Sequence, residues 1–166
     1  MTQRPFYAWD EPVKPEQEEA MRVLIVDDSP ILRERVAAML SEVSRDIELV
    51  GEAGNAFVAM DAICRLKPDA VILDISMPGK TGIDVLREIK RDAEPPMVMI
   101  LTNYPHPQYR KKCMALGADY FFDKSTEFCK VARTFKLLAQ GSRRDRIGNV
   151  CDGCPGMAVS CSQAAS

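Results

Sequence analysis

Charged and hydroxyl residues follow four of the apolar runs in this sequence, at the points where strands are expected to end. Asp27 and Asp28 follow VLIV, Asp74 follows AVIL, Thr102 follows MVMIL, and Lys124 follows DYFFD. Such short β-branched or aromatic runs are typical of buried parallel strands, whose carboxyl ends meet at one edge of a sheet. The sequence therefore predicts that three carboxylates, one hydroxyl and one ammonium group converge there. That set suits a magnesium ion and a phosphoryl group.

The predicted cluster of acids needs a cation. Three carboxylates held within a few ångströms repel one another and raise each other's pKa unless a positive charge joins them, and Mg²⁺ suits an oxygen-rich, partly hydrated site. Asp74 precedes the loop SMPGKTG, so its carboxylate is placed to attack a phosphoryl donor and form an aspartyl phosphate. Lys124 and Thr102 are then placed to hold the phosphoryl oxygens.

Taken singly, each of these residues has an ordinary structural explanation. An acid pair such as Asp27-Asp28 is common in turns and at helix N-termini, Lys124 could be a surface lysine, and Thr102 could cap a helix. The prediction depends on their joint order along the chain: an acid pair after the first strand, an acid after the third, a hydroxyl after the fourth and a lysine after the fifth.

From Arg22 the sequence alternates predicted strands and helices. Ser29-Pro30 gives an N-cap and a first-turn proline, Pro68 ends the second helix, and Gly117 ends the fourth. Five βα units with short loops imply a doubly wound, five-stranded parallel sheet with helices on both faces. Apolar spacing places several residues on the inner faces of the helices, among them Ile31, Phe57 and Cys64, Cys113 and Cys129.

Composition limits the other possibilities. The chain has 166 residues, 46% of them hydrophobic, with a net charge of -2, so it can form one core and shows no basic field for nucleic acid. It has neither an apolar run long enough to span a membrane nor a secretory signal, so we expect a cytoplasmic protein with mostly reduced cysteines. We expect residues 1–20 to be a disordered lead, with Met21 as an alternative start, 21–139 to be the folded domain and 140–166 to be a flexible tail.

Three cysteines lie in the predicted tail: Cys151, Cys154 and Cys161. They could form a small metal or redox site, but a closed zinc site normally takes four ligands, and an isolated C-x-x-C is weak evidence. The alternative is a flexible tail with incidental thiols. Because the tail is too short for an independent DNA-binding domain, we expect no direct DNA binding.

The segments VLIVDDSP, AVILDISMPGKTG, ILTN and GADYFFDKS resemble the receiver domain of two-component response regulators over residues 22–139. The resemblance implies a flavodoxin-like strand order of 2-1-3-4-5, with Asp74 as the phosphoacceptor. It also implies that Mg²⁺ is bound by Asp28 directly, by Asp27 through water or electrostatics, by Asp74 and by the backbone carbonyl of Ser76. Thr102 and Lys124 would hold the phosphoryl group.

The sequence departs from that family at several positions. Phe121 replaces the usual switch tyrosine or histidine, and its ring could follow Thr102 inward without a hydroxyl. Ser125 stands where many relatives have proline, and Asn103 replaces a smaller residue. The bulky Tyr104 would shield the phosphoryl group from water, which predicts a long-lived aspartyl phosphate.

The resemblance implies a receiver that accepts a phosphoryl group from a sensor histidine kinase or a phosphotransfer protein, and the short tail leads us to expect a stand-alone one. It would signal to a partner protein through the fourth helix, fifth strand and fifth helix, or form a homodimer there. We expect no enzymatic activity beyond its own phosphotransfer and dephosphorylation. The alternative is a pseudo-receiver or phosphorelay adaptor with a redox- or metal-sensing cysteine tail.

Two other protein classes are disfavoured. A haloacid-dehalogenase-type phosphatase needs a second acid in the motif D-x-D, which Asp74-Ile75-Ser76 lacks. A dinucleotide-binding domain needs a glycine-rich first turn, whereas the first turn here is DDSP.

Overall fold

A computed structural model describes residues 20–146, and its strands and helices alternate along the chain as the sequence predicts. The strands are β1 (Met21–Val26), β2 (Ile47–Ala53), β3 (Ala70–Leu73), β4 (Met97–Thr102) and β5 (Tyr120–Asp123). The helices are α1 (Pro30–Val43), α2 (Ala56–Leu66), α3 (Gly82–Ile89), α4 (Pro107–Ala115) and α5 (Phe128–Arg146).

The five strands form one parallel sheet in the order β2-β1-β3-β4-β5, which confirms the predicted fold class and strand order. Side chains alternate between the two faces of the sheet, as the pleat requires. In β1, Leu24 and Val26 pack with α2, α3 and α4, whereas Val23 and Ile25 pack with α1 and α5. Helices therefore cover both faces, and the apolar strands are buried between them.

The predicted helix ends agree with the structure. The Ser29 hydroxyl accepts a hydrogen bond from the Leu32 backbone N–H at 3.4 Å, with Pro30 in the first turn of α1. Lys67 ends α2 in a left-handed conformation directly before Pro68, and Gly117 follows α4 with φ = 95°. These local signals are read from neighbouring residues, which is why sequence reasoning finds them.

Several predicted inward positions are wrong. Phe57 is 85% exposed and Ile31 is 78% exposed, and Cys64 and Cys129 are also exposed, whereas Cys113 is buried. The buried face of α2 consists of small residues instead: Ala56, Ala59 and Ala62. Alanines at this spacing let the helix pack close to the sheet, and that close packing turns the bulky Phe57 to the outside.

The last helix continues to Arg146, past residue 139, where the folded domain was predicted to end. Residues 1–19 of the predicted lead and residues 147–166 of the predicted tail lie outside the described residues. Among residues 20–146, no helix is both long and apolar enough to cross a membrane.

Candidate functional site

The carboxyl ends of β1 and β3 bring three acids together, as the sequence predicts. Carboxylate oxygens of Asp27, Asp28 and Asp74 all lie within 4.8 Å of one another. Backbone hydrogen bonds extend the sheet to this point, since the Asp74 N–H donates to Val26 O at 2.9 Å and the Asp27 N–H donates to Ala53 O at 3.0 Å. Asp27 and Asp74 are buried and Asp28 is exposed, so the cluster opens to solvent on one side.

Lys124 reaches this cluster from the end of β5. Its Nζ lies 2.6 Å from Asp27 Oδ2 and 2.6 Å from Asp74 Oδ2, and the residue is only 8% exposed. One ammonium group therefore bridges two buried carboxylates, while Asp28 has its own oxygens free to face solvent. A surface lysine, the alternative explanation, would not be buried between two acids.

Burial and charge shift the proton affinities in this cluster. Burial raises the pKa of Asp27 above its ordinary value, although hydrogen bonds from Lys124 and from the Ser29 N–H act in the opposite direction. Burial alone would lower the pKa of Lys124, but its hydrogen bonds to Asp27 and Asp74 outweigh that effect and raise it. Lys124 is therefore a firmly charged cation, and the cluster favours binding a further positive charge.

Thr102 and Ser76 are held beside the acids by backbone contacts. Thr102 is fully buried at the end of β4, where its hydroxyl oxygen accepts a hydrogen bond from the Tyr104 N–H at 3.2 Å. Its own hydroxyl hydrogen can therefore still be donated. Ser76 is exposed, and its backbone N–H donates to Asp74 Oδ1 at 3.0 Å. Both oxygens of Asp74 thus have defined partners, which fixes the orientation of the carboxylate.

A cavity of about 240 Å³ opens beside the loop that follows Asp74. Ser76, Tyr104 and Tyr109 contribute to its wall together with apolar residues of the loop and α3. Tyr104 is half exposed there. The long phosphoryl lifetime expected from Tyr104 stays a prediction.

Sequence reasoning missed the support that Arg33 gives to the acid pair. One guanidinium nitrogen of Arg33 donates to Asp27 O at 2.7 Å, and Nε forms an ion pair with Glu52 at 2.9 Å. Arg33 thus ties the turn after β1 to the end of β2. No local sequence pattern indicates the pair with Glu52, because Arg33 and Glu52 meet only when β1 and β2 pair.

Gly82 was also missed as a residue that shapes the site. It opens α3, its N–H donates to Ile75 O at 3.2 Å, and a Cβ at this position would collide with the backbone carbonyl of Asp74. The α3 N-terminus therefore lies directly against the Asp74 backbone. The Thr81 and Asp84 side chains cap the same helix reciprocally, and the T-x-x-D spacing could have revealed that cap from the sequence.

We expect Gly82→Ala to destabilise the protein more than Gly79→Ala. The added methyl at position 82 has to displace backbone, which costs about 2–3 kcal/mol of unfolding free energy. Gly79 has φ = 80° with nothing within 4 Å of an added Cβ, so its substitution carries only a conformational cost of about 1 kcal/mol. Urea unfolding of both variants measures the difference, and an equal or smaller loss for Gly82→Ala would contradict the close approach.

Phe121, the predicted switch aromatic, lies inside the protein. It is 3% exposed, and the guanidinium carbon of Arg110 on α4 lies 4.7 Å from its ring centroid. The neighbouring Tyr120 packs on the opposite face of the sheet, as strand alternation predicts.

Cys151, Cys154 and Cys161 lie outside the described residues, so a metal or redox site there stays a prediction.

A family comparison gives the same interpretation as the geometry. The response regulator receiver domain model matches residues 23–135. The chain is 48% identical over 136 residues to protein-glutamate methylesterase/protein-glutamine glutaminase 1 of Caulobacter vibrioides. That alignment covers 77% of this chain but only 39% of the Caulobacter protein. It is 34% identical over 127 residues to an uncharacterized response regulatory protein of Vibrio vulnificus, covering 76% of the chain and 51% of that protein. The chain thus spans about half or less of these relatives.

Solved structures of similar fold cover most of the chain. The response regulator domain of Thermotoga maritima CheB superposes with a TM-score of 0.65 at 27% identity, covering 75% of this chain and 97% of that one. The signal receiver domain of the putative response regulator NarL from Mycobacterium tuberculosis gives a TM-score of 0.66 at 29% identity, covering 74% and 98%. In both comparisons the likeness extends over nearly the whole of the solved domain.

Proposed function

This chain belongs to the response regulator receiver family of two-component signalling, and we propose that it accepts a phosphoryl group on Asp74 from a sensor histidine kinase or a phosphotransfer protein, with Mg²⁺ as cofactor. One observation carries the proposal: Lys124 bridges the buried Asp27 and Asp74 at the mouth of the acid cluster. A simple structural ion pair would need only one acid, whereas here Lys124 contacts two and the Asp28 carboxylate lies within 4.8 Å of both.

Asp74 is oriented to act as the nucleophile. The Ser76 N–H holds Oδ1 and the Lys124 ammonium holds Oδ2. An Asp74 oxygen forms a bond to phosphorus while the phosphorus–nitrogen bond of the donor phosphohistidine breaks, and the electron pair of that bond leaves with the imidazole. Catalysis of this transfer depends on positioning and charge neutralisation. Lys124 then neutralises charge on a phosphoryl oxygen, and Thr102 donates its free hydroxyl hydrogen to another.

The donor set fits Mg²⁺. Three carboxylates within 4.8 Å, of which one is exposed, offer hard oxygen ligands together with access for water, which is what this ion prefers. Asp27, Asp28 and Asp74 would hold it, with the backbone carbonyl of Ser76 as a further ligand. Mg²⁺ bound by these residues would offset the carboxylate charge and supply charge neutralisation for phosphoryl transfer.

The output is proposed to be a change in the surface of α4, β5 and α5. Thr102 and Phe121 lie on neighbouring strands, and Phe121 lies beneath Arg110 of α4. A phosphoryl group that draws Thr102 inward would change the packing of Phe121, and α4 with it. A downstream protein would read this surface, or two copies of the chain would pair through it.

Other expectations stay predictions. They are the stand-alone arrangement, the cytoplasmic location, the absence of DNA binding and the absence of enzymatic activity beyond phosphotransfer and dephosphorylation. Several relatives are methylesterases, but this chain matches only part of their length. The pseudo-receiver alternative stays open, although the acid cluster, the buried Thr102 and the buried Lys124 favour a receiver that can be phosphorylated.

The proposal is tested by intact-mass spectrometry after incubation with acetyl phosphate, with Mg²⁺ and with a chelator instead. We expect one phosphoryl adduct that needs Mg²⁺. Borohydride reduction of the acyl phosphate followed by peptide mapping should place the modification on Asp74. A folded protein that gains no adduct, or one that gains it on another residue, would contradict the proposal.

A further inference from the structure

The turn that carries Lys124 is held by the side chain of the preceding residue. Asp123 Oδ1 accepts a hydrogen bond from the Ser125 N–H at 2.8 Å, and Asp123 Oδ2 accepts one from the Thr126 hydroxyl at 2.8 Å. The pKa of Asp123 is lowered, first by the hydrogen bond from the Ser125 backbone, so the carboxylate is charged at neutral pH. Lys124 therefore lies inside a closed turn of hydrogen bonds.

Glu127 closes the same turn from the other side. The Asp123 N–H donates to Glu127 Oε2 at 3.1 Å, and the Glu127 N–H donates to Asp123 O at 2.9 Å. This reciprocal pair spans Lys124 and resembles the way a capping box fixes the start of a helix. Ser125 has no ring to restrict the backbone after Lys124, so these side chains provide the restraint.

The position of Lys124 depends on this backbone. Its N–H donates to Thr102 O at 2.9 Å, which continues the pairing of β4 and β5 beyond Asp123. Its Nζ lies 2.6 Å from each of two carboxylates, so the backbone at Lys124 carries the ammonium group that meets them. The turn thus sets where the ammonium group meets Asp74.

Glu127 also connects the turn to α4. Arg110 lies 3.5 Å from Glu127 Oε2 and stacks on the ring of Phe121, while Lys130 pairs with Glu127 Oε1 at 2.7 Å. The pKa of Glu127 is lowered, first by its hydrogen bond from Lys130, and a glutamate is already charged at neutral pH without that shift. The same carboxylate oxygen therefore contacts the Lys124 turn and the residue that covers Phe121.

We propose that Glu127 is a positioning residue for Lys124: its carboxylate fixes the backbone around the lysine and, through Arg110, joins this turn to the α4 cover over Phe121. The inference rests on the proposed transfer to Asp74. Glu127 lies outside the acid cluster. Its carboxylate contacts both the turn that carries Lys124 and Arg110 of α4, so it connects the lysine to the α4–β5–α5 surface.

The test compares three variants of the full chain: Glu127→Ala, Glu127→Gln and Lys130→Ala. The glutamine keeps an oxygen that can accept from the Asp123 N–H, whereas alanine does not, and Lys130→Ala removes an ion pair of Glu127 outside the turn. With acetyl phosphate and Mg²⁺, we expect the phosphorylation rate constant to fall about tenfold in Glu127→Ala, because small misplacements at a reacting centre are costly. Glu127→Gln should have a phosphorylation rate constant close to that of the wild type, and Lys130→Ala should have the wild-type rate constant.

Amide hydrogen exchange separates this inference from the proposed function. Protection of the Asp123 and Lys124 amides should fall in Glu127→Ala and return in Glu127→Gln, whether or not Asp74 is phosphorylated. If the wild type gains no adduct but the two variants show this exchange pattern, only the proposed function is contradicted. Unchanged amide protection in Glu127→Ala would overturn the inference, and so would a Glu127→Ala variant that is phosphorylated as fast as a phosphorylated wild type.

Discussion

Asp74→Asn is expected to abolish the Mg²⁺-dependent phosphoryl adduct completely. The asparagine side chain has almost the same shape, and its amide oxygen can still accept the hydrogen bond that the Ser76 N–H now gives to Asp74 Oδ1. The amide is not a nucleophile that can form an acyl phosphate, so the chemistry is lost while the loop keeps its anchor. Intact mass after incubation with acetyl phosphate measures the outcome directly.

The matched control is Asp92→Asn, an exposed aspartate after α3 whose carboxylate accepts a hydrogen bond only from the next residue, Ala93, among the contacts described. This variant should gain the adduct like the wild type. Asp27 and Asp28 remain in Asp74→Asn, so an adduct transferred to either of them would show that the site does not select Asp74. Equal labelling of Asp74→Asn and the wild type would contradict the assignment of the nucleophile.

The sequence predicts the site well because the key residues are tied to strand ends. Asp74, Thr102 and Lys124 each lie at the end of a short run typical of a strand, and parallel strands bring those ends to one edge. Once the five strands and their order are known, the meeting of the acids and the lysine follows without any knowledge of side-chain packing. The convergence is a property of topology, so a single sequence reveals it.

Other features depend on contacts that no local pattern records. Phe57 and Ile31 have the spacing of core residues but are exposed, because small alanines and other neighbours already fill the helix faces that meet the sheet. The Arg33 contact to Asp27 O and the close approach of Gly82 to Asp74 depend on how each turn folds back on the residue before it, which the residue types alone do not indicate. Such contacts decide which apolar residues are buried in the core and which polar residues contact the site. Periodicity alone does not distinguish among the candidates.

The electrostatics of the cluster also extend beyond the sequence prediction. The acids were expected to need a cation, and in the protein Lys124 already supplies one to Asp27 and Asp74. The same ammonium group that is proposed to hold the phosphoryl group therefore stabilises the resting state. On the proposed transfer, phosphorylation would exchange carboxylate partners of Lys124 for phosphoryl oxygens, and this exchange would link the chemistry to the position of β5.

Lys124→Met is expected to lower the free energy of unfolding in the absence of Mg²⁺ by about 3–5 kcal/mol at neutral pH, because it leaves two buried carboxylates without their counter-charge. Methionine retains most of the side-chain volume, so the loss reports the missing charge and hydrogen bonds more than a cavity. Urea unfolding in the presence of a chelator measures it. Added Mg²⁺ should recover part of the stability, since a cation at the acid cluster offsets the same carboxylates.

The matched control is Lys80→Met. Lys80 Nζ also lies 2.6 Å from its partner, Glu88 Oε1, but the two side chains are 45% and 39% exposed. An exposed pair contributes only about 0–1 kcal/mol, so this variant should stay close to the wild type in unfolding free energy. The two ion pairs have the same length and differ in burial, so the comparison isolates burial as the cause. Equal losses in both variants would show that Lys124 is not the buried counter-charge of the acid cluster.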